Sequence, residues 1–282
     1  MQEAYSLPDA QPASRSGVTS GLNTFEKKMV DSLADLRENF GAVGVKAEFE
    51  AEGTRLNELI RLKDIVSRAG LTLMVKIGGP EAVRDILDAL IVGVSGIVAP
   101  MVESAYALKK YFLALEKYIP ADVLGEMVCA ANVETRQAYQ NFGEMLGHPK
   151  IDLLDFATIG RVDLSGSMGL NREEINSEQM FHITKDICEM ARKANIKTAM
   201  GGGISKQAIP FIGRLVNDRL LDRFETRKII FSAPQAINNA DVSLIKANQF
   251  ELLWLQNKAD YYTVISREDK ERIGMLQTRS TL

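Results

Sequence analysis

Apolar residues at Phe25, Met29, Leu33, Leu36 and Phe40 recur every three to four positions, with Glu26, Lys27, Lys28 and Glu38 largely on other faces. That period predicts an amphipathic helix ending near Gly41. Beyond it the rhythm changes. Short apolar runs at residues 42–49, 71–77, 96–101, 126–133, 153–159, 196–200 and 228–231 alternate with helical patterns. They read as seven strands in repeated βα units, hence an α/β fold that is either doubly wound or a closed (β/α)8 barrel. Polar and charged residues suited to chemistry follow several different strands, which favours the barrel, where sites collect at strand C-termini. An eighth strand is then required, and it is expected near residues 16–22, before the first helix.

The ends of the chain carry other patterns. Residues 1–21 are rich in Ser, Pro, Ala and Gly without periodicity and are expected to be a flexible leader. Residues 22–240 form the barrel, and residues 241–282 an extra C-terminal helical segment. There Leu244, Ile245, Phe250, Leu252, Leu253, Trp254 and Leu255 offer more apolar surface than one outer helix needs. Packing against another subunit or capping the barrel floor would account for it. The charged stretch 266–282 is expected to be mobile in part.

Composition narrows the class. A chain of 282 residues with 46% hydrophobic content suits a globular protein with a substantial core, and a net charge of -3 gives no reason to expect nucleic acid. Cys129 and Cys188 lie far apart in apolar or helical contexts, which points to packing and a reducing compartment. Neither a spanning apolar run nor a secretory signal pattern is present, so a cytoplasmic protein with no membrane association is expected.

The chemistry is densest between Met127 and Leu170. Two apolar runs, each ending in a carboxylate, flank a helical pattern, so Glu134 and Asp163 should emerge at the same edge of two parallel strands. Two hard oxygen ligands with little to neutralise them suit Mg²⁺ or Mn²⁺ with open positions for substrate. Two ordinary strand-end acids would look the same. Strand alternation adds Lys46, Glu48 and Glu50 on one face, opposite Val45, Ala47 and Phe49, and Lys76 on the matching face of the next strand. These charges point into the barrel mouth, or else salt-bridge at a solvated strand end. Asn132 shares the side of Glu134 and can bind a substrate oxygen. Arg161 can do likewise or form a salt bridge. Gly201-Gly202-Gly203 follows a strand and precedes a helix, exposing N–H groups to a phosphate or carboxylate, although a tight turn needs glycine too. His148 and His182 are assigned to structure.

These motifs carry a resemblance. Gly160-Arg-Val-Asp163-Leu-Ser-Gly-Ser-Met-Gly169 resembles the Gly-Pro-Ala-Asp-Leu-Ser-x-x-Met-Gly segment of the HpcH/HpaI aldolase and citrate lyase family. Asn132-Val-Glu134-Thr135 is similar to its Gln-Ile-Glu-Thr, and the segment from Gly96 to Ser104 to its Pro-Met-Val strand. The resemblance implies a TIM barrel in which Glu134 and Asp163 hold a divalent metal and the backbone N–H groups of Val162 and Asp163 bind the carboxylate of pyruvate or another 2-oxo acid. It further implies a carbon–carbon lyase or aldolase working through a metal-stabilised enolate, with assembly from dimers to hexamers. Three departures stand out: Phe49 occupies the place of the aldolase branch's histidine base, Lys76 that of an arginine, and Arg161 that of a proline. Glu48 or Glu50 must then replace the base, with Lys46 and Lys76 alongside, or the reaction differs. A Schiff-base aldolase using Lys46 or Lys76, or a non-catalytic metabolite-binding subunit, are the alternatives.

Overall fold

The structure, a computed structural model, describes residues 21–280. The first helix, α1 (Thr24–Phe40), starts on a reciprocal cap in which Asn23 Oδ1 accepts from Glu26 N and Glu26 accepts from Asn23 N. It stops at Gly41, whose φ of 71° turns the chain into β1 (Ala42–Glu48). Helices and strands then alternate: α2 (Leu56–Arg68), β2 (Thr72–Lys76), α3 (Val83–Val92), β3 (Gly96–Ala99), α4 (Ala105–Tyr118), the single turn α5 (Ala121–Leu124) and β4 (Val128–Val133). The second half runs α6 (Arg136–Leu146), β5 (Phe156–Gly160), α7 (Arg161–Ser167), α8 (Glu178–Lys193), β6 (Lys197–Gly201), α9 (Ile209–Asn217), β7 (Arg223–Glu225) and β8 (Ile229–Ser232). Two helices finish it, α10 (Ala233–Ala236) and α11 (Ala240–Ser280).

The eight strands close into a barrel in the order β1 to β8, as the alternation predicts. The closing stave differs from expectation. Strands β1 to β7 are parallel, but β8 runs antiparallel to both β7 and β1. The strand sought near residues 16–22 lies outside the described residues except for Gly21 and Leu22, which are not in a strand. The missing stave is instead β7, three residues long and too short to show a period. Only Thr226, Arg227 and Lys228 separate it from β8, far fewer residues than a parallel crossover needs, so β8 must reverse. Thr226 N donates to Ile229 O (2.9 Å), Ile229 N donates to Thr226 Oγ1 (3.0 Å), and Lys46 N donates to Lys228 O (2.7 Å), pinning the hairpin to β1. The hairpin tip therefore joins the rim at which the parallel strands end.

Side-chain alternation divides the core in two. Val45, Ala47, Leu73, Val75, Ala131, Val133, Ala157 and Ile159 pack outward under the helices. Inside the lumen, Met74, Val98, Ala130, Phe156, Ala199 and Ile230 form a separate apolar layer. Two residues further along β1, β2, β4 and β5 the inward positions turn polar, so the layer is a floor beneath the mouth.

The buried face of α11, Leu244, Ala247, Phe250 and Trp254, lies along α1, with Lys246 Nζ 2.7 Å from Asp35 and Asn23 Nδ2 donating to Asn257 Oδ1 at 2.7 Å. Much of the surplus apolar surface is thus spent on the barrel's flank, not its floor. The charged stretch expected to be partly mobile continues the same helix to Ser280. No helix among the described residues is long and apolar enough to cross a membrane.

Thr226→Val removes the hydroxyl that accepts from Ile229 N and should lower unfolding stability by about 1–2 kcal/mol, read as a lower urea midpoint at constant m-value.

Candidate active site

Strands β4 and β5 are parallel neighbours, with Asn132 opposite Thr158 and Val133 opposite Ile159. Glu134, just beyond β4, and Asp163, in the first turn of α7, therefore reach the same mouth, as their spacing predicts. Glu134 is 2% exposed. Its Oε1 accepts from Met101 N and its Oε2 from Asn132 Nδ2, both at 2.9 Å. Met101 has a left-handed φ of 53°, a conformation costing a β-unbranched residue roughly 1–3 kcal/mol, and its N–H is the one that meets Glu134. Gly160 is required here as well, because a Cβ would stand 2.6 Å from Glu134 Oε2.

Glu134 is short of positive charge. Burial, with the negative charge of Asp163, raises its pKa above the ordinary carboxylate value, against the opposing pull of Met101 N–H, Lys76 and Asn132. Asp163 is exposed, lines the same cavity, and has no ion-pair partner among the described residues. Asn132 Oδ1 is buried without a hydrogen-bond partner. Two uncompensated carboxylates and an orphaned amide oxygen form a hard-oxygen donor set that fits a small divalent cation. Among the described residues no cluster of three or more His, Cys, Asp or Glu gathers to hold a metal.

Four other charges at the mouth form a chain of ion pairs. Lys76 Nζ lies 3.1 Å from Glu48 Oε2, Lys46 Nζ lies 3.3 Å from Glu48 Oε1, and Lys46 Nζ lies 2.9 Å from Glu225 Oε2. The register of β1 and β2 sets Glu48 beside Lys76, and Glu225 arrives from β7 on the far side. Burial opposes the charge on Lys46, but Glu225 and Glu48 outweigh it and raise its pKa. Burial likewise opposes the charge on Glu48, and Lys46 with Lys76 hold its carboxyl below the usual range. Glu50 leaves the strand after Glu48 and lines a separate groove beside Gly78, outside the barrel mouth.

Two sequence expectations change here. Arg161 does not bind in the cavity: its guanidinium is wholly buried, donating to Asn176 Oδ1 (2.8 Å) and to Gly202 O (2.9 Å), and burial lowers its pKa to about 10. Glu50 does not join Lys46, Glu48 and Lys76. The remaining expected residues, Asn132, Glu134, Val162 and Asp163, surround one cavity of about 570 Å³ with Lys46, Glu48 and Lys76. Gly201, Gly202 and Gly203 also line it, with Gly202 pressed against Val162 N, where a Cβ would lie at 2.7 Å. Thr158, Arg172, Glu225 and Arg227 also line it and were not singled out in the sequence. Glu225 sits in a strand too short for periodicity to flag. His148 packs edge-on to Phe112, His182 edge-on to Phe181, and both cysteines are buried with their thiols pushed up to about 12.

Comparison with known proteins adds the following. The sequence model of the HpcH/HpaI aldolase/citrate lyase family matches residues 49–201. An HpcH/HpaI aldolase from Desulfitobacterium hafniense superposes with a TM-score of 0.58 at 15% identity, over 79% of this chain and 90% of that one. An HpcH/HpaI aldolase/citrate lyase family protein from Burkholderia cenocepacia gives 0.55 at 16% identity, over 80% and 90%. A citrate synthase variant, SbnG, gives 0.54 at 14% identity, over 78% and 89%. At such identities the likeness is one of fold. No curated protein matches the sequence.

Two outcomes follow from the charge arrangement. Lys46→Met strands Glu225 in the lumen and leaves Glu48 with Lys76 alone, and should cost about 3–5 kcal/mol of stability, measured by denaturant unfolding at neutral pH. Because burial lifts Glu134 above its unfolded-state pKa, its ionised form destabilises the fold above that raised pKa, and the penalty fades as pH falls through it. Glu134→Gln should therefore raise the thermal midpoint of chelator-treated protein at mildly alkaline pH and lose that advantage on acidification, a trend that pH-resolved melting curves would reveal.

Proposed function

The chain belongs to the HpcH/HpaI aldolase/citrate lyase family, and from that premise we propose that it is a carbon–carbon lyase or aldolase acting on a 2-oxo acid of the pyruvate or oxaloacetate type, with Mg²⁺ or Mn²⁺ as cofactor. The observation that carries the reading is the pairing of Glu134 and Asp163 at one cavity, with no ion-pair partner among the described residues, beside the linked charges of Lys46, Glu48, Lys76 and Glu225. Glu134 and Asp163 would hold the cation. Bound there, it supplies Lewis acidity toward the oxygens of the oxo acid.

The chain's own groups supply the rest. The N–H groups of Val162 and Asp163, in the first turn of α7, have no intrahelical acceptor and face the cavity to receive the substrate carboxylate. Asn132 Oδ1, buried and unpartnered, accepts a hydrogen bond from a substrate hydroxyl. Lys76 presents an ammonium beside Glu48 and stabilises negative charge developing on the substrate as the carbon–carbon bond changes. Glu48 is a poor stand-in for the absent histidine base, since two lysines hold it ionised and weakly basic. A Schiff-base route through Lys46 is disfavoured for the mirror-image reason: imine formation needs a neutral amine, and Glu225 with Glu48 keeps Lys46 protonated.

Self-association belongs to the same reading. Ile245, Leu252 and Leu255 on the outer face of α11, and Val264, Ile265 and Ile273 further along it, stay exposed, which supports a homo-oligomer between dimer and hexamer.

Cleavage of 4-hydroxy-2-oxo acids, or decarboxylation of oxaloacetate, should require added Mg²⁺ or Mn²⁺ and fall at least about a hundredfold in Glu134→Gln and Asp163→Asn. Full turnover in excess EDTA would refute the reading. The double variant Leu252→Glu, Leu255→Glu should sediment as a 31.2 kDa monomer where the parent chain sediments as an oligomer.

A further inference from the structure

Arg161 heads the largest side chains that are wholly shut off from solvent, and it carries a full positive charge there. Its Nη1 donates to Asn176 Oδ1 at 2.8 Å and Ile175 O at 3.4 Å, and its Nη2 to Gly202 O at 2.9 Å and Gly203 O at 3.4 Å. The guanidinium carbon lies 4.7 Å from the centre of the Phe211 ring, and Nε has no partner. Every one of these contacts is neutral. Among the described residues no carboxylate lies within ion-pair distance of Arg161. A buried cation without a counter-ion is expensive, and a turn that merely needed bracing could be braced by a neutral donor.

Its location supplies the missing term. Arg161 is the first residue of α7, directly before Val162 and Asp163, and its Nη2 holds the carbonyls of Gly202 and Gly203. All four of those residues line the cavity. The charge therefore sits immediately behind one wall of the site, with no carboxylate of the described residues in ion-pair contact with it.

Resting on the two-carboxylate reading above, we infer that Arg161 is a buried electrostatic and positioning residue whose unmatched charge is answered by the substrate's anion, drawing a carboxylate onto the Val162–Asp163 wall and weakening the hold of Glu134 and Asp163 on their cation. It touches neither. The two effects have opposite signs, and a structural brace would not produce that split.

Asn176→Asp tests this without disturbing the fold, because it places a carboxylate where an amide oxygen already accepts from Nη1. Arg161→Gln removes the same charge by another route. Titration calorimetry on the full chain would give dissociation constants for Mg²⁺ alone, and for oxalate with and without Mg²⁺. Both variants should bind oxalate about tenfold more weakly and Mg²⁺ several-fold more tightly than the parent. Parent-like oxalate affinity in Asn176→Asp, or a loss of both affinities together, overturns the role given to Arg161, and Asn176→Asp decides the matter if Arg161→Gln does not fold. A parent chain that binds oxalate but not Mg²⁺ overturns only the two-carboxylate reading, since oxalate affinity in Asn176→Asp still decides the role of Arg161. A parent chain that binds neither overturns both.

Discussion

Charge inside a barrel has to be answered by charge, and the upper lumen of this one is arranged by that requirement. Glu225, Lys46, Glu48 and Lys76 alternate in sign across β7, β1 and β2, each within 3.3 Å of the next. The apolar layer of Met74, Val98, Ala130, Phe156, Ala199 and Ile230 lies beneath them and the paired side chains are largely buried, so each ionic contact acts in a poorly polarisable medium. Against that background the exceptions stand out. Among the described residues Glu134 and Asp163 have no ion-pair cation and Arg161 no ion-pair anion, and all three lie at the adjoining ends of β4 and β5. Those exceptions are what the proposed site for a cation and an anionic acid rests on.

The reversed stave shows how little of the barrel this chemistry uses. Glu48, Lys76, Asn132, Glu134 and Asp163 are carried on or just after β1, β2, β4 and β5, all parallel, so their ends share one rim regardless of how the barrel closes. The β7–β8 hairpin closes it with three connecting residues in place of a helix, and puts Thr226 and Arg227 on the rim. Because β8 is antiparallel, the chain leaves the barrel at the opposite end, and α11 can return along α1 to bring Asn248 and Glu251 to the mouth.

Phe49 and Lys76 change the proton chemistry available on this scaffold. Phe49 is half-buried against the outer core and has no proton to exchange. Lys76 offers a compact ammonium where a planar fork would give two directed bonds. The lysines on either side of Glu48 stabilise its charged form and so blunt its basicity. On the proposed reading, reactions that develop negative charge on the substrate suit this site better than reactions that begin with a strong base.

By itself the sequence determined the layers of the fold and the meeting of two acids at one strand edge. Helical period and strand alternation depend on neighbours a few residues apart, so α1, the seven apolar strands and the inward set Lys46, Glu48 and Lys76 were legible, as was the convergence of Glu134 and Asp163 from one strand-helix-strand unit. Tertiary structure decided what depends on distant partners. Glu225 meets Lys46 across 179 positions of chain, in a strand of three residues with no pattern to betray it. The direction of β8 follows from the shortness of its connection and from the edge of β1 it has to fill. Arg161, beside Asp163 in sequence, turns away from the cavity because the carbonyls of Gly202 and Gly203 wait on the other side. Local spacing states which face a residue occupies, and only the closed barrel states what stands opposite.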